Sequence, residues 1–212
     1  MNYTAAGSRV GPPPLGEAGR LALAMARDWL PRRRFAHSVA AAETAVALCQ
    51  RYGLDPEAGF LAGVAHDLCK DMAPERQFEL ARRFDGPLPA LAFMDPQLPH
   101  GPAAAVFLRD DGLVDDPAVL EAIAYHTFGK PGMGPLALVV YSADKIEPGR
   151  GEWIADVASA AVRGDYDGHG GLERLTAAVI ERSMDHVIRS GRPVAPDTLI
   201  LYNALTGKNE AP

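Results

Sequence analysis

His37, His66, Asp67 and Asp144 are side-chain types that bind divalent cations, and each follows or lies within sequence that is buried by its pattern. The run Gly59-Phe60-Leu61-Ala62-Gly63-Val64-Ala65 is apolar on every side, as a core helix is, and leads directly into His66-Asp67. Pro135 to Ala143 does the same ahead of Asp144-Lys145. His37 belongs to a helical pattern with Phe35, Val39, Ala42, Val46 and Cys49 on one stripe. The opposite face, with Ala41, Thr44 and Leu48, is also small or apolar, so the imidazole points into protein. A carboxylate in such a place costs roughly several kcal/mol unless positive charge meets it. Two carboxylates and two or more imidazoles gathered in one interior would repel or stay unpaired. A divalent cation resolves both difficulties, because ionised Asp and neutral His are its ligands. Mixed nitrogen and oxygen donors without thiolate favour iron, manganese or zinc over magnesium. An ion so held lowers the pKa of its bound water towards neutrality, which is the chemistry of hydrolysis.

The elements that must position these groups read almost wholly as helix. Proline after a capping residue marks helix starts at Asp55-Pro56 and Asp116-Pro117, with further starts at Pro74, Pro102 and Pro135. The pattern predicts helices over 15–30, 33–52, 56–69, 74–84, 102–111, 117–127, 135–146, 152–163, 172–190 and 196–205, and no run alternates at period two. The predicted fold class is therefore all-α: a compact helical bundle with a buried metal centre. Gly164 to Gly171 is expected to be a loop. Residues 1–16, rich in Gly and Pro, are expected to be a flexible tail, 17–206 one domain, and 207–212 a second tail.

The motifs around the ligand set are Arg34-Phe35-Ala36-His37-Ser38-Val39, Ala62 to Lys70, and His100-Gly101-Pro102. They continue with Tyr125-His126-Thr127-Phe128-Gly129-Lys130-Pro131-Gly132-Met133 and Ser142 to Arg150. Together they resemble the HD-domain metal-dependent phosphohydrolase superfamily and, within it, the bacterial symmetrical bis(5'-nucleosyl)-tetraphosphatase family. The resemblance spans roughly residues 17–206 and includes Pro196-Asp197-Thr198-Leu199 to Tyr202-Asn203. It implies an HD-type helical fold and symmetric cleavage of diadenosine tetraphosphate to two nucleoside diphosphates, ADP or GDP by substrate, through metal-activated water. It implies iron, one or two ions, on His37, His66, Asp67 and Asp144, with His100 and His126 holding a second metal or touching phosphate. It implies that Lys70 and Arg150 contact phosphate, that Thr127 beside His126 belongs to the substrate-binding set, and that Asp67, Lys70 and His126 are catalytic. Three departures stand out: the extra residues 1–16, Phe128 and Lys130 where Thr and Arg are usual, and the Gly164–Gly171 loop, which reads as an insertion able to reshape the pocket rim.

The residues support that chemistry without the name. Lys70, one helical turn beyond His66, can share its face and reach a phosphate. Arg150, after a Pro-Gly turn, offers a forked donor. His126 near a helix end suits proton transfer or a second metal. Plainer readings compete: a polar helix end at His66-Asp67, a satisfied core histidine at His37, a cap at His100, helix-end charge at His126, a solvated Lys70, and a solvated face for Arg32-Arg33-Arg34. None of them explains why polar residues converge at the ends of apolar helices.

Lys+Arg 21 against Asp+Glu 27, net −6, argues against nonspecific nucleic-acid binding, and no stretch is long and apolar enough to span a bilayer. Cys49 and Cys69 read as buried apolar residues, His169 and His186 as surface residues. The expected partner is a small nucleotide, in a reducing cytoplasm, with a homodimer left open. The alternatives within reach are an HD-type nucleotidase or guanosine-polyphosphate hydrolase, and a non-catalytic nucleotide sensor.

Overall fold

The computed structural model describes residues 15–88, 95 and 98–207, and among these it contains helices and no strands. The predicted tails 1–16 and 207–212 lie almost wholly outside the described residues. Ten α-helices are present: α1 (Glu17–Trp29), α2 (Arg32–Tyr52), α3 (Pro56–Ala65), α4 (Pro74–Ala81), α5 (His100–Asp110), α6 (Pro117–Tyr125), α7 (Pro135–Ile146), α8 (Ala155–Arg163), α9 (Gly171–Arg189) and α10 (Pro196–Thr206). A 3-10 turn, Glu152–Ile154, precedes α8.

α7 is the central post. It packs against α2, α3, α6 and α9, and almost all of its residues are buried. α3 is equally enclosed, with every residue from Gly59 to Ala65 buried against α1, α2, α6 and α7. These are the two all-apolar runs of the sequence, and helices apolar all round have nowhere else to go. Cys49 and Cys69 are buried in the same core, where burial pushes both thiols up to about 12.

The Asp-Pro starts behave as their chemistry dictates. Asp55 and Asp116 accept from the N–H groups of Glu57 (2.9 Å) and Ala118 (2.8 Å), with proline following in the first turn. The fifth helix begins two residues before its expected start, at His100. Proline at its third position is tolerated because first-turn N–H groups have no intrahelical partner anyway.

The largest difference lies in the third helix, expected to reach residue 69. It stops at Ala65 and continues as turns, with Leu68 N–H to Ala65 C=O (3.1 Å), Lys70 N–H to Asp67 C=O (3.0 Å) and Met72 N–H to Cys69 C=O (3.1 Å). The Gly63 carbonyl, next in the helical ladder, accepts instead from the His66 side chain (2.6 Å). α6 likewise ends at Tyr125, where the Ile123 carbonyl accepts from His126 (2.8 Å).

Two close approaches set the helix spacing. A Cβ on Gly63 would lie 2.6 Å from Ala42 Cα, so α2 and α3 cross backbone to backbone. A Cβ on Gly101 would lie 2.9 Å from the carbonyl oxygens of both Ile123 and Ala124, which brings α5 equally close to α6. The first crossing carries His37 to His66, and the second carries His100 to His126.

Candidate metal centre

All six expected ligand positions meet at one place. His37 comes from α2, His66 and Asp67 from the turn closing α3, His100 from the start of α5, His126 from the end of α6, and Asp144 from the last turn of α7. His66, Asp67, His100, His126 and Asp144 are buried, and His37 is half-buried at the mouth. Nε2 of His37 stands 3.2 Å from Nε2 of His66 and 3.0 Å from Asp144 Oδ1. Nε2 of His100 stands 3.0 Å from Nε2 of His126 and 3.1 Å from Asp67 Oδ1. Three groups of donor atoms each fall within 4.8 Å of one another: His37, His66 and Asp67; His66, His126 and Asp144; Asp67, His100 and His126. His126, expected with His100 alone, thus also belongs with His66 and Asp144.

The proton positions explain why a cation fits. Nδ1–H of His66 donates to Gly63 C=O and that of His126 to Ile123 C=O, while His37 Nδ1 lies 3.1 Å from Glu147 Oε1. With Nδ1–H so engaged, a neutral imidazole presents the bare lone pair of Nε2. Two such lone pairs, from His66 and His126, therefore converge on two carboxylates, and His37 adds a third once its extra proton is displaced. Asp67 Oδ1 is buried and meets no donor in hydrogen-bonding geometry, although Lys70 Nζ (3.4 Å) and His126 Nε2 (3.7 Å) are also near. An interior filled with acceptors aimed at one another is the electronic complement of a divalent ion.

The ionisation states agree. Burial opposes charge on Asp67, yet His66, His100, His126 and Lys70 together hold it well below the usual carboxylate range. Burial likewise opposes Asp144, but Arg150, Lys145 and His37 hold it low. Burial keeps His66 neutral and drives His126 down to about 3. His37 is the exception: burial opposes its charge, but Asp144 and Glu147 outweigh burial and raise it to about 9.

The substrate-binding candidates border this cluster. Lys70 Nζ reaches His100 Nε2 (3.2 Å) and Asp67 Oδ1. It does so from a turn of three residues rather than from the face of a continued helix, which stacks residue 70 over residue 67 instead of over residue 66. The Thr127 hydroxyl is 3.1 Å from His126 Nε2 and 3.4 Å from His100 Nε2. Arg150 lies at the mouth, but it is turned inward. Its Nε donates to the Asp144 carbonyl (2.6 Å), Nη2 binds Asp144 Oδ1, and Nη2 stands 3.3 Å from His37 Nε2. His100 is the first residue of α5, and Pro99 occupies the N-cap position.

Three residues escaped the sequence reading. Glu147, 4% exposed, orients His37 from just past the end of α7. Arg34, assigned to a solvated arginine run, pairs with both oxygens of Asp71 (2.6 and 3.2 Å) and with Asp67 Oδ2 (3.4 Å), whereas Arg32 and Arg33 are exposed. Lys145 donates to the His126 carbonyl (2.8 Å) and Asp144 Oδ2 (3.3 Å), and burial lowers it to about 8. The only available signal for Glu147 was its place three residues after Asp144, which a helical reading does not single out.

Comparison with known proteins gives the cluster its context. The HD domain family model matches residues 34–149, which include every residue of the cluster. The chain is 33% identical to the symmetrical bis(5'-nucleosyl)-tetraphosphatase of Bacillus subtilis (strain 168), over 87% of this chain and 95% of that protein. It is 35% identical to the Staphylococcus aureus protein of the same name, over 84% and 90%. The chain belongs to the symmetrical bis(5'-nucleosyl)-tetraphosphatase family of HD-domain proteins. A crystal structure from Clostridium acetobutylicum, described as a predicted HD superfamily hydrolase involved in NAD metabolism, superposes with a TM-score of 0.77 at 27% identity, covering 90% of this chain and 97% of that one.

Membership in the HD family implies a divalent metal ion, and the buried His/Asp groups could bind one. One departure from the family pattern, Phe128 with Lys130, is accounted for locally. Phe128 is buried against Ala195 and Leu98, and its carbonyl accepts from Thr198 (2.8 Å). Lys130 pairs with Glu121 (2.8 Å) and lies over the Tyr125 ring.

The raised His37 has a measurable consequence. Its folded value of about 9 against an ordinary 6.5 means that an ion must displace a proton from it at neutral pH. Titration of Mn²⁺ or Zn²⁺ into demetallated protein should release about one proton per ion near pH 7, with affinity rising as pH rises towards 9 and levelling beyond. Affinity that stays flat between pH 6.5 and 8.5 would contradict this. The sign for the demetallated fold is opposite. The His37 contribution is fully present below 6.5 and is lost as pH rises through about 9.

Proposed function

We propose that the protein hydrolyses diadenosine tetraphosphate and related dinucleoside polyphosphates symmetrically, giving two nucleoside diphosphates. The observation that carries this reading is the convergence of imidazole lone pairs and two ionised carboxylates beneath a rim of Arg34, Lys70 and Arg150. On a chain of net charge −6, that rim is a local cationic patch suited to a polyphosphate. The relatives at 33% and 35% identity that carry the tetraphosphatase name support the substrate class.

His37, His66, Asp67 and Asp144 would hold the ion, with iron the preferred metal and manganese or zinc the alternatives. His100 and His126 would take a second ion or touch phosphate. The two oxygens of Asp67 have different neighbours, Oδ1 facing His100 and Oδ2 facing Arg34 and His66, so Asp67 would serve either half of the centre. The ion supplies an activated water nucleophile and charge neutralisation at the phosphoryl group. Lys70 reaches out beside His100 and neutralises charge developing on phosphoryl oxygens. Arg150 does the same once its guanidinium is shared between Asp144 and substrate. Thr127 would orient the phosphate through its hydroxyl, while the Nε2 lone pair of His126 would face an ion. A nucleoside diphosphate is a stable leaving group, so electrostatic stabilisation carries more of the rate than any dedicated general acid. The free buried cysteines support placing the enzyme in the reducing cytoplasm.

Product analysis on diadenosine tetraphosphate decides the reading. Two ADP are expected. AMP plus ATP, or free phosphate released from a mononucleotide, would replace it with the nucleotidase alternative. Absence of turnover with Fe²⁺ or Mn²⁺ bound would favour the sensor. Lys70→Ala is expected to keep its metal and lose rate about ten-fold or more, the loss of a charge-assisted contact of roughly 1.5–3 kcal/mol. Metal content and kcat measured on the same preparation check both halves.

A further inference from the structure

A cavity of about 550 Å³ forms a cleft between α2 and α8 that the mechanism above does not use. Glu147 and Arg150 line its near end, and these two residues touch His37 and Asp144, so the cleft opens at the edge of the metal centre. Its walls carry small side chains: Ala40 and Ala47 from α2 and Ala155 and Ala158 from α8. Side chains of one carbon leave a flat apolar slot, and Val162 on its rim is 50% exposed. Arg51 closes the far end. It donates to the Ala161 carbonyl and pairs with Asp167 at 3.4 Å, tying α2 to the end of α8 and to the loop that begins at Gly164. From Ala40 to Arg51 the α2 helix runs about 16 Å, room for a nucleoside and its first phosphate.

Resting on the function proposed above, we propose that this cleft seats one nucleoside of the dinucleotide, with its base between the alanine walls and its phosphates leading past Arg150 to the metal centre. Ser159 lines the α8 wall, and the α2 wall offers two acceptors: the Glu43 carboxylate, and the Thr44 hydroxyl, whose proton goes to the Ala40 carbonyl (2.8 Å). They match the N–H edge of a purine. A second cavity of about 410 Å³ borders Thr127 on the other side, but it presents Lys145 and Arg192, cations that suit phosphate rather than a base. The Gly164 loop, an insertion by sequence, acquires a function here. Through Asp167 it holds the residue that ends the slot.

The test fills the slot from either wall. ADP and inorganic pyrophosphate are titrated calorimetrically into metal-loaded wild type, Ala158→Phe and Ala47→Phe. The expected result is an ADP affinity reduced about ten-fold or more in both variants, with pyrophosphate affinity unchanged. Unchanged ADP binding in both folded variants, or equal loss of ADP and pyrophosphate, overturns the proposal. So does a wild type that binds pyrophosphate and not ADP. Wild type that binds ADP with the expected contrast but cleaves diadenosine tetraphosphate to AMP and ATP overturns the symmetric-cleavage reading and leaves the cleft standing.

Discussion

Asp67→Ala is expected to lose its metal and with it nearly all turnover on diadenosine tetraphosphate. Asp67 lies in two of the three donor groups, with Oδ1 3.1 Å from His100 and Oδ2 3.7 Å from His66, so both halves of the centre lean on it. Outer-shell substitutions alone lower metal affinity about 10–100-fold. Removal of a carboxylate that faces five basic groups in a buried site should exceed that. The loss cannot be made good by a neighbour, because His66 and His126 are held neutral by burial while Lys70 and Arg34 repel a cation once their anion is gone. Elemental analysis of the purified variant, beside circular dichroism to confirm folding, reads the first effect, and product formation with added Fe²⁺ or Mn²⁺ reads the second. Full activity in metal-depleted Asp67→Ala would end the mechanism.

The second large effect is expected from a residue that touches no substrate. In Gly63→Ala the new methyl would sit 2.6 Å from Ala42 Cα and 3.0 Å from Ala42 N, both main-chain atoms that cannot swing aside. α2 and α3 must separate, at a cost of roughly 1–3 kcal/mol, which for a chain of this size lowers Tm by about 2–12 °C. His37 rides on α2 and His66 follows α3, so their 3.2 Å approach widens. A displacement on the order of 1 Å at reacting groups can cost about a hundred-fold in rate. Gly19→Ala is the control: its Cβ would meet Leu15 and Phe60 at an ordinary 3.7 Å, and Ala in a helix interior gains about 0.5–1 kcal/mol over Gly. The melting temperature should fall in Gly63→Ala and rise slightly in Gly19→Ala, and metal content should fall in the first alone. A Gly63→Ala protein as stable and as well metallated as wild type would contradict this account of the crossing.

The burial of α3 and α7 and the gathering of His37, His66, Asp67 and Asp144 were legible in the sequence, because an apolar run ending in imidazole or carboxylate leaves a helix only one place to deliver them, whereas His100 and His126 joined the set through the family resemblance. Helix ends were less legible. Nothing in Leu68-Cys69-Lys70 opposes helix, and α3 stops at Ala65 because an imidazole competes for a main-chain carbonyl, an event of three-dimensional geometry. Glu147 was hidden for a related reason: it acts after the chain has left α7 in an extended conformation, where helical spacing no longer says which way it points. Arg34 looked like the third of three solvated arginines, and only the fold reveals Asp67 and Asp71 beside it. Arg150 was expected at phosphate, and its inward turn to Asp144 depends on a partner six residues away across a Pro-Gly turn.

The main-chain carbonyls of Gly63 and Ile123 lock two rings before any cation arrives. Rotational freedom that free imidazoles would surrender on chelation has already been surrendered during folding, together with the last turns of α3 and α6. Capture of the ion should then proceed without rearrangement of these rings, and tightness of capture becomes a report on whether two short helices have closed their ends.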